Sequence, residues 1–133
     1  MTRSRETAPR FLNLFAIRFP VGAIASIGHR ISGVLLLVAL PLAAQALERS
    51  LRSEAEFRAL LALRASPWVS IAIAVIAWAI AHHLLAGIRH LLMDLGVGHR
   101  LATARASAWF VNVAASVVAL AILVACLWSG VAS

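Results

Sequence analysis

Three apolar runs, Ala23–Leu47, Pro67–Met93 and Ala108–Val131, leave this chain few folds to adopt. Each can cross a hydrocarbon core, which takes about 20 residues of helix. In lipid, a single segment satisfies all its backbone donors and acceptors only as a helix. The expected fold is an all-α membrane protein with transmembrane helices at 23–47, 67–94 and 108–131, preceded by an N-terminal segment 1–22, with 1–133 forming one membrane domain. Composition agrees, since 62% of the residues are hydrophobic and only 13% charged.

Local punctuation refines these bounds. Pro20 is placed to open the first helix, and Pro41 to kink it near its far end. Ser66-Pro67 suits the cap and first turn of the second helix, and Ser107 suits a cap for the third. The connections "ERSLRSEAEFRALLALRAS" and "DLGVGHRLATARAS" read as aqueous. Trp68, Trp109 and Trp128 fall near helix ends, where indole rings favour the interface, whereas Trp78 is expected within the bundle or against lipid. The stretch "VLLLVALPLAAQA" has the form of a signal peptide, but the arginine-bearing segment before it, interrupted by "FLNLFAI", is unlike a leader's short basic start, so a retained span is expected. Cys126 stands alone in an apolar run, which excludes a disulfide within the chain and leaves it a packing residue.

The net charge of +7 comes from arginine alone. Most arginines flank the apolar runs, as in a membrane protein, and no nucleic-acid partner is expected. Arg3, Arg5, Arg10 and Arg18 precede the first helix, and Arg89, Arg100 and Arg105 cluster around the second connection. Arg49, Arg52, Arg58 and Arg64 lie in the first connection, and the C-terminus has none. The bias places the N-terminus and second connection inside.

The second run also carries "AHHLLAGIRHLLMDLG", residues 81–96. Ionisable groups at membrane depth are costly and mark a partner, a cavity or a task. On a helix, His83, Gly87, His90 and Asp94 fall within a stripe about 60° wide, while His82 lies about 100° away with Arg89 and Trp78. A His-Gly-His stripe suits a haem: a neutral imidazole binds iron, the glycine lets a flat macrocycle approach, and a further polar residue meets a propionate. His83 is then the ligand candidate and His90 the propionate candidate. The competing reading is that both histidines hydrogen-bond across helices.

In the first run, Ser26, Arg30 and Gly33 lie within about 60° of one another, with His29 beside them. Arg30 can stabilise an anionic head group or a partly reduced quinone, and Ser26 can donate to a carbonyl of the same ligand. Alternatively, Arg30 snorkels to lipid phosphate and Ser26 bonds its own backbone. Asp94 either pairs with a nearby arginine or lies on a proton route.

"SIGHRIS", with Ser26, His29, Arg30 and Ser32, and "HLLAGIRHLLMDLG", with His83, Gly87, Arg89, His90 and Asp94, together resemble the cytochrome b membrane-anchor subunit of succinate dehydrogenase, respiratory complex II. The resemblance runs from Ile17–Pro20 through the second helix, and the third matches in hydropathy alone. It implies a three-helix chain forming half of a haem-binding bundle with a second hydrophobic anchor subunit. His83 would be the axial iron ligand to haem b, the other axial histidine coming from that second anchor. His29, Arg30 and His90 would surround the propionates, Gly87 would admit the macrocycle, and Ser26 and Arg30 would bind ubiquinone. The implied partners are an iron–sulfur subunit, a flavoprotein and membrane lipid, in the bacterial inner (cytoplasmic) membrane with the N-terminus cytoplasmic. One departure is that Pro9 follows Ala8 and precedes Arg10, where the family usually has an Arg-Pro pair. Two rival readings are an anchor of a quinol:fumarate reductase and a haem-free small transporter or assembly subunit.

Overall fold

The structure, a computed structural model, describes residues 19–131. Arg3, Arg5, Arg10 and Arg18, and the Ala8-Pro9-Arg10 departure, lie outside the described residues. Four α-helices follow in order: α1 (Val21–Arg52), α2 (Glu54–Ala62), α3 (Pro67–Asp94) and α4 (Leu101–Val131), with a 3₁₀ turn at Leu63–Ala65. Among the described residues α1, α3 and α4 are long and apolar enough to cross a membrane. The chain is an all-α membrane protein.

The distribution of side-chain sizes says what surrounds the bundle. Its buried apolar residues are nearly all alanine: Ala25, Ala74, Ala79, Ala86, Ala108 and Ala115, with Val111. Large apolar residues point outward, with Leu37 73% and Leu84 59% exposed. A protein folding in water buries its leucines. In lipid no hydrophobic force drives helices together, and small residues let backbones approach closely enough for van der Waals contact. α3 lies between α1 and α4, and α1 also touches α4.

The helix ends follow local chemistry. Pro20 precedes α1 in extended backbone, and α1 runs through Pro41 to Arg52 as continuous helix. Its 32 residues span about 48 Å against a hydrocarbon core of about 30 Å. Its last turns, with Glu48, Arg49 and Arg52, therefore stand in the aqueous phase. The first connection is itself helical. Ser53 caps α2, its Oγ accepting from the Glu56 N–H at 3.2 Å in the Ser-x-x-Glu arrangement typical of a helix start. Exposed pairs Arg49–Glu56, Arg52–Glu48 and Arg58–Glu54 run along this end, each worth at most about 1 kcal/mol. Ser66 and Pro67 open α3 as expected, although the Ser66 side chain makes no capping bond.

At the other end α3 stops in a Schellman turn. Gly96 has φ +83°, its N–H donates to Met93 O, and the Val97 N–H donates to Leu92 O, both at 2.9 Å. Glycine takes that left-handed conformation without a Cβ clash. α4 then starts at Leu101 rather than Ala108. Ser107 is therefore inside a helix and does not cap one, and the second half of the stretch expected to be aqueous connection becomes the first two turns of α4.

Candidate functional site in the α1–α3–α4 polar layer

Because α1 and α3 run antiparallel, the start of α1 meets the end of α3, and the polar residues of both collect in one leaflet. His83, Gly87 and His90 turn toward α1; His82 and Arg89 hydrogen-bond to α4 and also pass close to the α1 glycines Gly28 and Gly22.

On the α1 side, the ring of His29 stacks on that of His83, with centroids 4.2 Å apart and planes 17° from parallel. His90 lies 5.1 Å from His29 at a tilt of 46°. His83 Nδ1 stands 3.1 Å from the His29 carbonyl oxygen and 3.2 Å from Ser32 Oγ, while Ser32 donates its own hydroxyl proton to the same carbonyl at 2.8 Å. A carbonyl can only accept, so the Nδ1 contact puts the proton of a neutral His83 on Nδ1 and the lone pair on Nε2. Metal-binding histidines are typically oriented in this way, one ring nitrogen donating to a backbone carbonyl and the other facing the metal. Ser32 is fully buried and holds the carbonyl from its other side. Gly33 makes room for the ring, since a Cβ there would meet His83 Cε1 at 3.1 Å.

Gly87 behaves differently. A Cβ at 87 would lie 3.7 Å from His29 Nε2, an ordinary contact, so packing within this chain does not itself demand glycine. No hydrogen bond among the described residues holds the His29 ring, and a flat ligand seated at Gly87 can turn it aside without breaking one. Among the described residues no three His, Cys, Asp or Glu side chains cluster as a metal site; an iron here would take one ligand from His83 and need a macrocycle and a second chain for the rest. The donor set fits haem on those terms.

Ser26 and Arg30 sit one turn apart on α1, Ser26 half-buried and Arg30 exposed. No hydrogen bond among the described residues engages either side chain, including the local Ser26 backbone bond considered above. Asp94, at the end of α3, is exposed and makes no ion pair among the described residues.

The α4 side contains what sequence reading missed. His82 is 1% exposed, and its Nε2–H donates to Asn112 Oδ1 at 3.1 Å, while Asn112 Nδ2 donates to Ala108 O at 3.0 Å. Trp78 tilts against the ring with centroids 4.9 Å apart. Gly28 of α1 closes the other side, where a Cβ would fall 2.7 Å from His82 Cε1 and Nε2. The available signal was Asn112, an amide in an otherwise apolar run, which in lipid calls for a partner. Gly28→Ala should cost about 1–3 kcal/mol by overpacking, because His82 is held by Asn112 and Trp78 and cannot swing away; Gly87→Ala should cost far less. Thermal unfolding in detergent compares the two, and equal loss would show that His82 yields.

Arg89 clamps α3 to α4. Its Nε–H donates to Ser107 Oγ at 3.0 Å and an Nη2–H to Ala104 O at 3.2 Å.

Fold and site thus define a multi-pass helical membrane subunit with a layer of imidazoles in one leaflet. Residues 4–123 match the family described as succinate dehydrogenase/fumarate reductase transmembrane subunit, and the chain belongs to that family. It is similar to the succinate dehydrogenase cytochrome b556 subunit of Coxiella burnetii, with 40% identity over 121 residues, covering 90% of this chain and 94% of that one. Membership makes it a membrane subunit of an oxidoreductase complex.

Proposed function

We propose that this chain is the cytochrome b anchor of a succinate:quinone oxidoreductase, that His83 supplies one axial ligand to haem b, and that Ser26 and Arg30 form part of the ubiquinone-reduction site. The observation that carries the reading is the Nδ1 contact of His83 with the His29 carbonyl, which orients the ring and leaves the Nε2 lone pair for iron. The Coxiella burnetii relative, a cytochrome b556 subunit of succinate dehydrogenase by name, supports the same assignment. The second axial histidine comes from a second hydrophobic anchor, and an iron–sulfur subunit and a flavoprotein complete the assembly. The complex sits in the bacterial cytoplasmic membrane, with the N-terminus and the α3–α4 turn on the cytoplasmic side, where the arginine bias puts them. Residues 1–133 form one membrane-anchor domain.

When bound, the haem supplies a one-electron store whose potential follows its axial ligands and their surroundings. The chain's own residues hold and orient. Ser32 and the His29 carbonyl fix the His83 ring, and His29, His90 and Arg30 are available to propionates. Quinone reduction adds two electrons and two protons, and negative charge develops on the carbonyl oxygens as electrons arrive. The Arg30 guanidinium and the Ser26 hydroxyl, one turn apart, can both donate to such an oxygen.

The intact complex, purified with its partners, should show a b-type haem band on reduction and should pass electrons from succinate to ubiquinone. A complex without the band would overturn the haem assignment and favour the haem-free transporter or assembly reading. Faster fumarate reduction by quinol than succinate oxidation by quinone would reassign it as a fumarate reductase anchor.

A further inference from the structure

Between α3 and α4 a groove of about 230 Å³ opens at the surface of the bundle. Leu85, Leu92, Phe110 and Val111 supply apolar walls, and Arg89 and Ser107 also line it. Arg89 lies five residues before Asp94, about 8 Å from the end of α3, at the depth where acyl chains meet head groups.

The charge of Arg89 has no counter-ion among the described residues. Every ion pair among them lies at the opposite end of the bundle, and Asp94, the acid nearest in sequence, is exposed and unpaired. Of the five guanidinium N–H groups, one donates to Ser107 and one to Ala104, leaving three without a described acceptor on a half-buried side chain. Unsatisfied donors and an uncompensated charge are both costly beside lipid. Arg100 and Arg105, exposed around the start of α4, extend the positive field at this end, and basic pockets between helices at the cytoplasmic face suit anionic lipid head groups.

We propose that this groove binds an anionic phospholipid, with its phosphate on the free edge of the Arg89 guanidinium and one acyl chain along the wall formed by Leu85, Leu92, Phe110 and Val111. Charge selects the phosphate, since a guanidinium meets two phosphate oxygens with two parallel N–H groups. The apolar walls select an amphiphile over a free anion. The site is separate from the histidine cluster and independent of whether haem binds.

The test uses the complex with its partner subunits in nanodiscs of phosphatidylcholine alone or with a minority of phosphatidylglycerol. Lipid retained after gentle extraction is counted by native mass spectrometry, alongside thermal unfolding. Phosphatidylglycerol should be retained several-fold over phosphatidylcholine and should raise the unfolding temperature. Thr103, an exposed residue of the groove rim, offers a variant that leaves the Arg89 bonds intact. Thr103→Phe fills the groove and should abolish both effects, with helix content by circular dichroism unchanged. Arg89→Lys keeps the charge without the fork and should weaken retention. Equal retention of the two lipids, undiminished phosphatidylglycerol in Thr103→Phe, or stabilisation by inorganic phosphate matching that by lipid would each overturn the proposal. Absence of any retained lipid from the intact complex would do the same, and would give the groove to a partner helix.

Discussion

His83→Ala is expected to abolish the reduced b-type absorbance of the purified complex while its subunits still assemble. The substitution removes the Nε2 lone pair, and no neighbour can replace it. His82 points the other way, with its Nε2 bonded to Asn112 and its Nδ1 buried without a partner. His29 and His90 share the layer, but neither ring is held by a hydrogen bond among the described residues, so neither is pre-oriented as His83 is. The bundle should survive, because the change leaves alone the His82–Gly28 contact between α3 and α1 and the buried alanines of all three spans. Added imidazole should restore part of the band in His83→Gly by occupying the space of the lost ring. A wild-type spectrum in His83→Ala would refute the ligand assignment. Ser32→Ala should act more mildly, shifting the haem potential with the band retained, since losses in the shell behind a metal ligand typically cost about 10–100-fold in affinity.

The second large effect falls on quinone turnover. Arg30→Ala should slow succinate-to-quinone electron transfer by on the order of 10²-fold, the usual cost of deleting one donor to a developing oxyanion. Succinate oxidation through an artificial acceptor that bypasses the membrane site should remain. Arg30 is exposed on α1 and carries no hydrogen bond within the described chain, so its removal leaves little of the fold unsupported. Arg30→Lys should fall between, because a point charge replaces a planar fork. Quinone turnover at the wild-type rate in Arg30→Ala would remove this residue from the site. An equal loss of both activities would mean the change had disturbed the attachment of the soluble subunits instead.

How much of this was legible in the residues can be judged at particular positions. The three spans follow from run lengths alone, and Pro20 and Pro67 sit where the helices begin. The division of α3 into a His83–Gly87–His90 face and a His82–Arg89 face follows from counting residues at helical pitch, and only the second of them hydrogen-bonds to α4. Helix starts in polar sequence were less visible. "RLATARA" reads as a connection because it carries two arginines, yet it forms the first turns of α4; Ser53 with Glu56 started α2 within a stretch that polarity alone marked as water-facing.

Sequence by itself determined that this chain crosses a membrane in three helices and which residues of α3 share a side, because hydrophobic length and helical period are properties of a single segment. Only the tertiary structure decided that His82 is a core residue packed on Gly28 and tied to Asn112, that Ser32 and the His29 carbonyl orient His83, and that Ser107 serves Arg89 instead of capping a helix. Those pairings depend on the rotation and axial register of one helix against another. Small residues at the contacts allow a close approach, and the few buried polar groups, which must find partners where water is absent, select the arrangement.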